Sequence, residues 1–208
     1  MPIAFVRAKA VVARDAEGAR NLIGAFVSHE LFGILGGGVA AGRVFDARDG
    51  DAQVAVLSRR LAHGLYGGVQ AAIGAILSTT ETTYTVIGVL PDDAGFPNWA
   101  DVWLPLNALP SDAMTALRQR SLHVDTRVLV RLTAGFPPQR AQAELDAALA
   151  ALAAQYPEAG APYDSAFLQP EDRESKGHFR PSATVASGYA SGQRCREERR
   201  TVRMGRKR

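Results

Sequence analysis

Apolar positions in this chain come in short runs separated by turn-forming residues, and the spacing inside each run predicts an element. Residues 5–13, FVRAKAVVA, alternate in part and meet a turn cluster at 15–18; residues 21–28, NLIGAFVS, resume an extended pattern, so the two predict a hairpin. Ser28 then stands at the N-cap position before HELFGILGGG, where Leu31, Phe32 and Leu35 lie at helical spacing and the glycines from Gly36 stop the turn. QVAVLS, residues 53–58, has strand length, and Ser58 is placed to cap RRLAHGLYGG, a helix that Gly67 ends. Residues 73–77 and 82–90 form a second hairpin pattern around 78–81, and residues 101–106 add a short extended run. RVLVRL, residues 127–132, alternates apolar with basic before a turn at 135–138. A long helix is predicted over 139–156, with Ala141, Leu145, Ala148, Leu149 and Leu152 as its apolar stripe and Pro157 as its stop.

Between the strand at 84–90 and the run at 102–106 lies a loop that carries little chemistry. Pro91 closes the first strand because it lacks a ladder donor, Asp92, Asp93 and Gly95 suit turns, and Phe96, Pro97 and Trp99 give the loop an apolar underside. Trp99 and Trp103 either line a ligand groove or pack over a sheet edge.

From about residue 163 the apolar periodicity stops, and the charge shows why that matters. The net charge of +3 is uneven: residues 164–208 hold 11 Lys and Arg against 6 Asp and Glu, leaving 13 basic against 15 acidic before them. The basic character therefore belongs to a tail over 163–208, which has the composition of a disordered segment, behind a body over 1–162. Cys195 is the single cysteine, so no intramolecular disulfide forms, and a metal would have to use carboxylates and His29, His63, His123 or His178. No apolar run reaches the roughly 20 residues of a membrane-spanning helix, and the first ten residues lack the apolar core of a signal peptide.

The candidate motifs each lack a part. GGGVAAG, residues 36–42, follows a helix, whereas a phosphate-cradling loop follows a strand, and it has no Lys-Ser/Thr ending, so a helix cap and turn is the better reading. His29-Glu30 begins like a zincin motif, but Gly33 stands where the second histidine belongs. Ser58 has no G-x-S-x-G context. Asp46, Asp49 and Asp51 alternate as in a calcium loop, yet the glycine and the distant glutamate are out of register, which predicts a solvated turn. For Arg43 a structural ion pair is expected rather than a substrate contact. No catalytic, cofactor-binding or metal-ligating residue is assigned.

Taken in order, VSHELFGILGGGVAAGRVFD, VAVLSRRLAHGLYGG, IGAILSTTETTYTVIGVLP, FPNWADVWLPL and RVLVRLTAGFPPQRAQAELDAALAALAAQYPE resemble the periplasmic core domain of MacB-like ABC transporter permeases, the FtsX/MacB type, over residues 21–158. The resemblance implies an α+β fold: a mixed sheet with a porter-like βαβ part and an inserted, β-rich lobe. It implies a non-enzymatic domain that transmits conformational change or contacts a substrate or partner during export. It places the parent protein in the inner membrane with this domain in the periplasm. The implied partners are an ABC ATPase subunit, the permease's transmembrane helices and a periplasmic adaptor. Members carry one transmembrane helix before the domain and three after it, which are not in this sequence, and GGVQAAIG stands where they have an acidic-proline-small segment; after the long helix members continue through further strands toward the membrane, whereas this sequence passes into the basic tail near Asp164, a break that a truncated or frame-shifted product fits. Two other readings compete. A small soluble α/β enzyme would need a cleft of convergent polar groups. A nucleic-acid-binding module would rest on the basic tail alone, and no nucleic acid is expected as a partner.

Overall fold

The computed structural model describes residues 2–15, 18–49, 52–92, 94–118, 127–155, 169–170 and 185–188. The predicted first hairpin is its longest feature: β1 (Ile3–Asp15) pairs antiparallel with β2 (Gly18–Val27) along the whole of β2. Helix α1 (Glu30–Leu35) follows and stops at Gly36, whose φ of 68° suits the left-handed turn that ends a helix. His29, at its N-cap position, makes no side-chain capping bond, and the Ser28 hydroxyl, instead of capping, accepts the Phe5 N–H at 3.1 Å. The short β3 (Ala41–Gly42) leads by the 46–49 turn to β4 (Val54–Ser58). There the predicted cap holds: the Ser58 Oγ accepts the Leu61 N–H at 3.2 Å at the start of α2 (Arg59–Tyr66), which Gly67 ends.

A one-turn α3 (Val69–Ala72), which no periodicity announced, connects to the second hairpin, β5 (Ile76–Thr79) with β6 (Thr83–Leu90). Beyond the proline-rich loop come β7 (Val102–Pro105), α4 (Ser111–Arg118), β8 (Arg127–Arg131) and α5 (Pro138–Gln155). Of the expected tail, β9 (Gln169–Pro170) and β10 (Val185–Gly188) are described. β10 pairs antiparallel with β8, so the sheet continues past residue 162. The rest of 163–208 lies outside the described residues.

The strand order explains the mixed sheet. β1 pairs with β2, β2 runs parallel to β7, β7 antiparallel to β4, β4 parallel to β6, β6 antiparallel to β5, and β5 returns to β1, so six strands close a ring. β8, β10 and β9 branch from the first residues of β1. Every strand of the ring contributes to one apolar cluster, with Val11, Leu22, Leu57, Leu77, Tyr84 and Leu104 among its buried members. A second cluster lies on the opposite face of the hairpin, where Leu31 and Ile34 of α1 meet Ala4, Val6, Ala25, Val27, Trp103 and Leu129. Successive strand residues face opposite ways, so odd positions of β1 such as Val11 and Ala13 serve the first cluster while Ala4 and Val6 serve the second.

The α5 stripe is a correction to expectation. Only Ala141 is buried, Leu145 and Leu149 are half-buried, and Ala148 and Leu152 are exposed. Helical periodicity marks an apolar face without guaranteeing that anything covers it.

Candidate functional site

A cleft of about 380 Å³ opens where the start of β1, the N-terminus of α1, the 46–49 turn and the residues after β7 meet. Phe5, Val27, Phe45 and Leu106 make its apolar surface; His29, Glu30, Asp46, Asp49 and Asn107 supply the polar groups. This is the place where the sequence's histidine-glutamate pair and aspartate loop come together. His29 Nε2 lies 3.4 Å from Glu30 Oε1.

Arg43 clasps Asp49 with two nitrogens, at 2.6 and 2.7 Å, the structural ion pair expected of it. The Asp49 Oδ2 also accepts the Asp46 N–H at 2.8 Å, and Asp46 in turn pairs with Arg48 at 2.6 Å. These bonds decide the protonation. The hydrogen bond from Arg43 holds the Asp49 carboxyl below its usual value, and the bonds from Arg48 hold Asp46 far below. Both stay ionised through the neutral range, which makes them turn-forming anions rather than proton donors. The 46–49 segment is an arginine-closed turn; Asp51 lies outside the described residues.

The remaining candidates are placed apart from this cleft. Ser58 caps α2, with its hydroxyl engaged as an acceptor. Gly36 ends α1, and Gly42 approaches β6 so closely that a Cβ would stand 2.1 Å from the Ile87 carbonyl oxygen, so backbone packing accounts for glycine at both ends of GGGVAAG. The two tryptophans divide: Trp103 is buried and its Nε1–H donates to the Phe96 carbonyl at 2.7 Å, whereas Trp99 is 40% exposed. Among the described residues no group of three or more His, Cys, Asp or Glu could hold a metal ion. His123, His178 and Cys195 lie outside the described residues.

Asp101 went unnoticed in the sequence. It is a buried charged residue at the entrance to β7, where its carboxylate accepts the Ile23 N–H at 2.9 Å and pairs with Arg60 at 2.5 Å. Only its place just ahead of an all-apolar strand, VWLP, could have singled it out.

The fold is shared with solved structures. The periplasmic region of MacB from Actinobacillus actinomycetemcomitans matches with a TM-score of 0.55 at 15% identity, covering 72% of this chain and 66% of that one. A domain assigned to a permease protein from Porphyromonas gingivalis matches with a TM-score of 0.51 at 17% identity, over 89% of this chain and 73% of that one. The chain thus spans just under two thirds of the MacB region. No curated protein sequence matches it. The fold is of the same class as that of the MacB periplasmic region. A family model then fixes the assignment: it describes the MacB-like periplasmic core domain and matches residues 2–148, so the protein belongs to that family. Among the described residues no helix is long and apolar enough to cross a membrane.

Proposed function

We propose that this chain is a non-enzymatic extracytoplasmic domain of an ABC transporter permease, one that transmits conformational change or contacts substrate or partner during export. The observation that carries the reading is the family match over residues 2–148. The site geometry is compatible with it: of the carboxylates lining the cleft, Asp46 and Asp49 are committed to arginines and a backbone N–H, which suits a scaffold. In this reading the core domain occupies 1–162 in partial form, with a porter-like βαβ part and a β-rich insertion. Residues 163–208 form an appendage whose described strands extend the sheet. ATP hydrolysis belongs to a separate ATPase subunit, and the domain works beside the permease's transmembrane helices and a periplasmic adaptor.

The test replaces the matching domain of an intact homologous permease with residues 2–155 of this chain. Retained membrane assembly and retained coupling of transport to ATPase activity are expected. Failure of the chimaera to assemble, together with nucleotide hydrolysis by the isolated chain, would overturn the reading.

A further inference from the structure

We draw no further inference here: the strongest candidate, the apolar last turns of α5 over residues 147–154, is an unpartnered helix face, and nothing among the described residues shows what covers it.

Discussion

Gly95 sits against the indole of Trp103, and replacing it with alanine is the sharpest test of how the proline-rich loop is held. A Cβ at this position would stand 2.2 and 2.5 Å from two ring carbons. Non-bonded carbons settle at about 3.5–4.0 Å, so an overlap of more than about 1 Å has to be relieved. The ring has nowhere easy to go: it is rigid, only 2% exposed, and tethered by its Nε1–H to the Phe96 carbonyl at 2.7 Å. Overpacking a filled site costs about 1–3 kcal/mol, and breaking the tether would leave a buried carbonyl unpaired at about 1–3 kcal/mol more. Gly95→Ala should therefore destabilise the protein by about 2–4 kcal/mol. Gly38→Ala is the control, since nothing lies within 4 Å of a Cβ there; it should stay within about 0.5 kcal/mol of the parent. A Trp99→Phe background leaves Trp103 as the single tryptophan, so urea unfolding followed by its emission reports the site as well as the stability. A Gly95→Ala variant within about 0.5 kcal/mol of its parent, with unshifted emission, would refute the argument.

Three further outcomes follow from the caps and the turn. Ser58→Ala should cost about 1 kcal/mol in urea melts through loss of the bond to the Leu61 N–H, whereas Ser28→Ala, which removes only an exposed acceptor for the Phe5 N–H, should cost less than half of that. Asp49 is more acidic in the folded chain than in the unfolded one, so its contribution is complete above about pH 4 and fades as pH falls through its folded value; the stability gap between wild type and Asp49→Asn, measured by urea titration at stepped pH, should narrow in that direction, and a gap that widens would contradict the pairing with Arg43. Thermal unfolding should not move on addition of a chelator; a large drop in melting temperature would reveal a stabilising metal.

Local elements were legible in the sequence because their signals are local. The turn at residues 15–18 between alternating runs, the Ser58 cap and the glycines after both early helices each act within a few residues. Ser28 misled because its hydroxyl finds a partner far along the chain, the Phe5 N–H, and makes no capping bond to α1. Closure of the ring was not legible. It depends on β2 meeting β7 and on β7 meeting β4, contacts between segments far apart in the chain that no periodicity encodes. For the same reason Asp101 gave no signal: its partners Ile23 and Arg60 lie 78 and 41 residues away. The aspartate loop was read correctly as a turn, but the arginines that close it were only half foreseen. Arg43 was singled out, while Arg48 was not.

The hairpin that carries both apolar clusters on opposite faces has a consequence for length changes. Deleting one residue near Ala8 would leave one end of β1 correctly phased and invert the other, because side chains along a strand change face at every step. One cluster would keep its side chains and the other would turn them to water. A deletion scan along β1 should thus report two territories with a border near the middle of the strand, each answering to a different half of the molecule.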